Sequence, residues 1–184
     1  MSKIFYTSDL HFGHKNILKY EDRPWDSVVD MNEGLITRWN EKVTDNDDVY
    51  VLGDFAFQSK NLRVDTINLI VQELKGKKHL IIGNHDEWIN KIDVKPRLWA
   101  SMDYYAKIID KNRIVILSHY PIETWDQEHY GSIHLHGHLH SNPTKLYQPN
   151  RYNVGCDNWN YYPVTLDEII AREASNSIKE VNII

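Results

Sequence analysis

Five short, widely spaced stretches of the chain concentrate residues that ligate metals: Asp9-Leu10-His11, Gly53-Asp54, Gly83-Asn84-His85-Asp86, Ser118-His119 and Gly137-His138-Leu139-His140. Carboxylates, an amide oxygen and imidazoles together suit divalent first-row metals. The mixed oxygen and nitrogen set favours Mn²⁺, Fe, Zn²⁺, Ni²⁺ or Co²⁺ over Mg²⁺, which prefers oxygen alone. Each stretch follows a run of strand character, and strand ends on a rigid sheet are where a site of several ligands can be assembled. The pattern argues for a metal-dependent hydrolase.

Residue type divides the chemistry. A pair of divalent ions about 3.5–4 Å apart needs a bridging anion and terminal ligands on each side. Asp54, directly after Gly53, suits the bridge. Asp9 and His11 stand two apart and, on an extended segment, project to one side toward one ion. Asn84 offers a neutral oxygen, while the adjacent His85 points elsewhere and is free to move a proton or to bind phosphate. Asp86 is expected to orient that imidazole and to favour its protonated form. Taken singly, several of these residues read just as well as structure. His119 ends a very apolar run, where a lone histidine is more often a satisfied core residue. Asp9 and Asp54 could cap a helix or turn. Alternation by two puts His134, His136, His138 and His140 on one face, which also describes a histidine-rich strand.

Periodicity gives the elements that must carry these residues. Lys3 to Ser8 reads as a strand. Asp26 reads as the N-cap of a helix bearing Val28, Met31, Leu35, Trp39 and Val43. Val49 to Leu52 is a buried strand, followed by a helix from Leu62 to Lys75 stopped by Gly76. His79 to Ile82 is the next strand, and Trp88, Ile89 and Ile92 mark a short helix after it. Tyr104 to Ile109 and Arg113 to Leu117 form a hairpin about Asp110-Lys111-Asn112. Ile133 to Gly137 and Arg151 to Val154 are strands, and Leu166 to Ala174 is an amphipathic helix. The first half alternates strand and helix, the second is richer in strand, and two packed sheets with helices outside accommodate the count.

A length of 184 residues with 41% hydrophobic content fits one domain, 1–184, with a single sizeable core. The sole cysteine, Cys156, reads as a small apolar filler, and no disulfide is expected. The first apolar segment, about five residues, is too short for a secretory or membrane-spanning segment, so a cytoplasmic location is expected. A net charge of -5 argues against long nucleic acid as partner, since such a grip needs a basic surface. A small phosphate ester remains suitable. His14, Lys15, Asn16 and Arg23 follow the first motif and could touch phosphate, although solvated loop residues are the commoner case. Trp125, Tyr130, Trp159, Tyr161 and Tyr162 fall in expected loops, where aromatics more often anchor structure than stack a base. The sequence leaves the oligomeric state open.

Taken together and in this order, Asp9-x-His11, Gly53-Asp54, Gly83-Asn84-His85-Asp86, His119 and Gly137-His138-x-His140 resemble the motif set of the calcineurin-like metallophosphoesterase superfamily. The match spans Ile4 to His140. The resemblance implies a four-layer α/β/β/α sandwich of two mixed β-sheets with a dinuclear site at one edge. It implies that Asp9, His11 and His140 bind one metal, that Asp54 bridges, and that Asn84, His119 and His138 bind the other. His85 would be the catalytic acid, and His134 and His136 match no family position. The implied reaction is attack on phosphorus by a hydroxide activated by two divalent ions, manganese being the first choice, with no covalent enzyme intermediate. Small phosphodiesters or nucleotides are the expected substrates. The competing readings are a non-catalytic metal-binding scaffold of the same fold and a nuclease. The chain departs from many relatives in carrying Phe57, three residues after Asp54, where they have a polar or acidic side chain. Its length leaves no room for a capping domain, so an open site is expected.

Overall fold

The structure, a computed structural model, describes residues 2–57, 63–91, 93–142 and 148–181, the side chains of its last helix as far as Ser175. Leu62 and Ile92, expected in helices, lie outside the described residues. Strands β1 (Ile4–Thr7), β2 (Asp48–Val51), β3 (Lys77–Ile81) and β4 (Ser101–Asp103) form one sheet in that order. Its first two strands, β1 and β2, are the most apolar because both of their faces are covered. Phe5, Val49, Val51 and Leu80 point into a cluster with the helices, whereas Tyr6, Leu52 and Ile81 point into a second cluster against the other sheet.

Helix α1 (Ile17–Tyr20) is a single turn. Helix α2 (Val28–Lys42) buries Met31, Leu35 and Trp39, one turn apart on one stripe. Its N-cap is Ser27 rather than the expected Asp26, and Ser27 Oγ accepts the Asp30 N–H at 3.2 Å. A hydroxyl one residue later satisfies the first turn equally well. Helix α3 (Val64–Glu73) packs Val64, Ile67, Ile70 and Val71 into the same cluster, and Gly76, at φ +83°, turns the chain back into β3. Trp39 spans the two helices, its Nε1 donating to the Lys75 carbonyl at 3.0 Å.

The second sheet has the order β5 (Tyr105–Asp110), β6 (Arg113–Ser118), β7 (Ile133–His136), β8 (Arg151–Asn153). Lys111 and Asn112 adopt φ +50° and +62°, the left-handed pair that a two-residue hairpin turn requires. β5 and β6 are antiparallel, β6–β7 and β7–β8 parallel, so this sheet is mixed as expected. The first sheet is not: all three of its strand pairings are parallel, because each connection between its strands is a crossover, and an antiparallel contact is confined to the bridge between Tyr6 and Val164. β4 escaped the periodicity reading, since three residues with Met102 as the one apolar side chain leave no pattern.

Helix α4 (Leu166–Val181) contributes Leu166 and Ile169 to the cluster between the sheets. The buried Tyr6 hydroxyl donates to Asp110 at 2.9 Å, joining the first sheet to the hairpin of the second. On the far face of the second sheet His134 is covered by Trp125, so a loop supplies that layer there. No helix among the described residues is long and apolar enough to cross a membrane.

Trp39→Ala removes the largest side chain at the α2–α3 junction. It is expected to lower unfolding free energy by about 3–5 kcal/mol. Urea denaturation checks this, and a loss below about 1 kcal/mol would mean the junction is not packed as described.

Candidate metal centre

All five motifs sit just beyond the carboxyl ends of strands: β1 delivers Asp9 and His11, β2 Asp54, β3 Asn84 to Asp86, β6 His119, and β7 His138 and His140. Parallel strands bring these ends to one edge, where open α/β sheets place their sites. The local backbone then aims the side chains. Asp9, His11, Asp54, His138 and His140 have φ of 57°, 52°, 53°, 70° and 50°. The left-handed region costs a non-glycine residue about 1–3 kcal/mol and persists only where surroundings over-determine it. Backbone bonds do so here: Asp9 N–H donates to Gly53 O at 3.0 Å, His11 N–H to Asp54 O at 2.9 Å, and Gly137 N–H to His119 O at 3.0 Å. Asp9 and His11 therefore converge by left-handed turns, not by the side-by-side projection of an extended strand. Gly137 is a contact requirement: a Cβ there would stand 2.6 Å from Asp9 Oδ2 and would strike Ser8.

Ligating atoms of Asp9, His11 and His140 lie within 4.8 Å of one another, as do those of Asp54, His119 and His138. Asp54 touches both groups. Its Oδ2 is 3.5 Å from His11 Nε2 and its Oδ1 is 3.6 Å from His119 Nε2. Asn84 joins the second group, its Oδ1 3.0 Å from His119 Nε2. His119 Nδ1 donates to the Leu52 carbonyl at 2.8 Å, which leaves the Nε2 lone pair facing Asp54 and Asn84. His140 is held likewise, Nδ1 to Asp157 Oδ2 at 2.9 Å. Both ring nitrogens of His11 are buried without a hydrogen-bond partner among the described residues.

These donors fit divalent cations. Burial pushes the Asp9 carboxyl up to about 7, with His140 opposing the shift and Asp54 adding to it. Burial also lowers His11, His119 and His138, keeping their imidazoles neutral and able to ligate. His140 moves the other way, since Asp157 and Asp9 outweigh its burial.

Asp86 does not orient His85. Its Oδ2 accepts the N–H of Asp54 at 2.8 Å and of Gly83 at 2.9 Å, and its Oδ1 accepts Phe55 N–H at 2.9 Å and Trp88 Nε1 at 3.0 Å. Fully buried and fully occupied, it fastens the β2 loop to the β3 loop. That fastening also answers the Phe57 departure, because Asp54 is held through backbone, including His85 N–H to its Oδ1 at 2.9 Å. The His85 ring is half-buried, with no hydrogen bond among the described residues, and has His11 at 5.2 Å and Phe57 at 5.5 Å between ring centroids. His14 stacks on Phe57 at 4.2 Å beside it, while Lys15 and Asn16 are exposed.

Two residues of the centre were misjudged or missed in the sequence. Arg23 is not a solvated loop residue: it is 4% exposed and pairs with Asp157, its Nε 2.8 Å from Oδ1. Asp157 carried no signal, lying in a short 3₁₀ turn (Cys156–Asn158) far along the chain. Among the aromatics, Trp125 is buried, Arg172 lies over Trp159 at 4.3 Å, and Tyr161 packs on Trp25, so these three anchor loops.

A model of the calcineurin-like phosphoesterases matches residues 2–179. The chain belongs to this family. An uncharacterized protein of Methanocaldococcus jannaschii is 36% identical over 176 residues, covering 92% of this chain and 90% of that protein. The gene 66 protein of Mycobacterium phage D29 is 32% identical over 205 residues, covering 98% and 99%. The crystal structure of a protein of unknown function from Aquifex aeolicus shares the fold, with a TM-score of 0.72 at 22% identity over 93% of this chain and 99% of that one. The family is metal-dependent and hydrolyses phosphoesters, and the two groups of carboxylate and imidazole donors are candidate metal sites for it.

His134 and His136 stand apart from the two groups. His134 Nε2 accepts the Ile122 N–H at 3.1 Å, so its Nδ1 must donate to Ile116 O at 3.2 Å, which fixes a neutral ring. Burial takes His134 from 6.5 down to about 4. Between those values the unfolded chain holds a proton that the folded chain refuses, so stability is lost as pH falls through the window, by about 3 kcal/mol in full. His134→Gln is expected to remove this part of the acid sensitivity, read from urea midpoints at neutral and mildly acidic pH. An unchanged pH dependence would mean the ring protonates freely.

Proposed function

We propose that this chain is a dinuclear metal-dependent phosphoesterase acting on small phosphate esters, diesters or nucleotides in preference to long nucleic acid. The observation that carries the reading is the Asp54 carboxylate, with one oxygen 3.5 Å from His11 of one ligand group and the other 3.6 Å from His119 of the second. Asp9, His11 and His140 would hold one ion, Asn84, His119 and His138 the other, and Asp54 both. Manganese is the first choice on the family resemblance, and Fe, Zn²⁺, Ni²⁺ or Co²⁺ also suit this mixed donor set. When bound, such a pair offsets charge on phosphoryl oxygens and lowers the pKa of water enough to supply a nucleophile near neutral pH.

The side chains have the remaining work. His85, anchored to Asp54 through its backbone N–H, presents a ring with no competing hydrogen bond and donates a proton to the departing ester oxygen. Leu52 O and Asp157 hold His119 and His140 in the tautomers that leave Nε2 facing inward. Tyr120, 49% exposed, stands against His138 and Asn84 at one side of the centre, and the His14–Phe57 stack stands beside His85. Aromatic side chains near the reacting centre suit an ester whose alcohol carries a planar base able to stack on them, which favours nucleotides over sugar phosphates.

Asp54→Asn is expected to abolish stable binding of both ions, seen by elemental analysis after dialysis; an unchanged metal content would refute the bridge. His85→Ala should retain metal and lose turnover about 10²–10⁴-fold on esters with poor leaving groups, with a much smaller loss on nitrophenyl esters. Equal losses on both would reject the proton-donor role. Hydrolysis by the wild-type chain in Mn²⁺ tests the whole reading, and complete inactivity across metals and substrates would favour a non-catalytic scaffold.

A further inference from the structure

The two ligand groups are mounted differently. In the second group, His119 is braced by the Leu52 carbonyl, and Asn84 Oδ1 meets His119 Nε2 at 3.0 Å and the Tyr120 hydroxyl at 3.4 Å. The first group rests on a buried ion pair. Arg23 donates from Nη2 to the Asp9 carbonyl at 2.7 Å and from Nη1 to the Leu10 carbonyl at 2.8 Å, the peptide whose N–H belongs to His11. The same guanidinium forks onto Asp157, Nε to Oδ1 at 2.8 Å and Nη2 to Oδ2 at 3.1 Å, and Asp157 Oδ2 takes the His140 Nδ1 proton at 2.9 Å. Cys156 Sγ adds a weaker contact to the Asp9 carbonyl at 3.2 Å. One side chain thus reaches the mountings of Asp9, His11 and His140 together, and the described contacts of Arg23 include none with Asn84, His119 or His138.

We infer that Arg23 and Asp157 are positioning residues for one of the two metal ions, the one held by Asp9, His11 and His140, and that they set its affinity independently of the other. This rests on the two-ion reading above. Asp9 and His11 are at φ 57° and 52°, a backbone held by its N–H bonds to Gly53 and Asp54 and, on the carbonyl side, by Arg23, and a planar fork with five donors suits tying two carbonyls and a carboxylate at once. A guanidinium behind a cation site also repels the cation unless its charge is matched. Asp157 supplies that match while fixing the His140 tautomer, so losing either partner harms the same three ligands. Lysine keeps the charge but lacks the fork.

The test is Mn²⁺ titration of the full chain stripped of metal, followed by calorimetry and by electron paramagnetic resonance. The wild type should take up two equivalents and give an exchange-coupled signal. Asp157→Asn and Arg23→Lys should each bind one equivalent as the wild type does and the other about 10–100-fold more weakly. At one added equivalent their spectrum should be that of isolated Mn²⁺. Equal weakening of both equivalents would overturn the inference in favour of general loosening, and unchanged affinities would overturn it outright. Should Arg23→Lys fail to fold, Asp157→Asn, nearly identical in shape, carries the comparison. A wild-type chain that takes up a single equivalent overturns the two-ion reading itself, and with it this inference.

Discussion

Two buried carboxylates, Asp9 and Asp54, lie close enough for Asp54 to raise the cost of ionising Asp9, with imidazoles as their neighbours, and the rest of the centre is arranged around that fact. Asp9 and Asp54 are 0% and 1% exposed. The buried guanidinium nearby, Arg23, is already matched by Asp157, and the buried Asp86 is satisfied by four N–H donors. Around Asp9 and Asp54 stand imidazoles that burial keeps neutral. Anionic oxygens and neutral nitrogen lone pairs aimed at shared points are costly to bury together unless a cation joins them. The centre is thus organised for metal at the level of charge, before any ligand geometry is considered.

Left-handed backbone at five of the seven candidate ligands belongs to the same constraint. A strand alternates its side chains between faces, so residues leaving several strand ends diverge if they stay extended. Turning Asp9, His11, Asp54, His138 and His140 into positive φ redirects them to one place. The strain needs a rigid frame, and Asp86 supplies much of it by locking the loops after β2 and β3 to each other through main-chain N–H groups. The acidic end of the Gly83-Asn84-His85-Asp86 motif is therefore a fastener, and the motif combines an amide donor, a free imidazole and the clamp that holds Asp54.

The two-sheet α/β fold and the residues that the strand ends bring together as candidate ligands were legible in the sequence because apolar runs ending in Asp, Asn and His are a local pattern. The two-residue turn of the β5–β6 hairpin was legible for the same reason. What eluded the sequence was long-range or side-chain directional. Asp157 meets His140 and Arg23 across loops, and no spacing marks it. Arg23 looked like an exposed loop cation because charge usually stays in water, yet a guanidinium with matched acceptors can be buried. Adjacency suggested that Asp86 serves His85, whereas neighbouring side chains on a turn point apart. The N-cap slipped from Asp26 to Ser27 because both residues can cap, and β4 is too short to show a period.

The way Asp54 and His85 are joined constrains how proton transfer and metal binding can vary. His85 N–H donates to Asp54 Oδ1, and Asp86 holds the Asp54 and Gly83 amides together. The reading of His85 as proton donor then has a geometric consequence: the donor and the proposed bridging carboxylate share one rigid loop pair, so their separation is fixed by main chain. The opposite side of the centre lacks that link, since His140 depends on a side-chain pair carried by the Cys156–Asn158 turn and by Arg23. His140 is thus tied through side chains, its own carbonyl also accepting from Asn153 Nδ2 at 3.0 Å and Asn158 Nδ2 at 2.6 Å, whereas Asp54 and His85 are tied through main chain. On the proposed reading, a proton donor tied by main chain to the bridging carboxylate keeps one bond-breaking geometry, because neither group can move without the other.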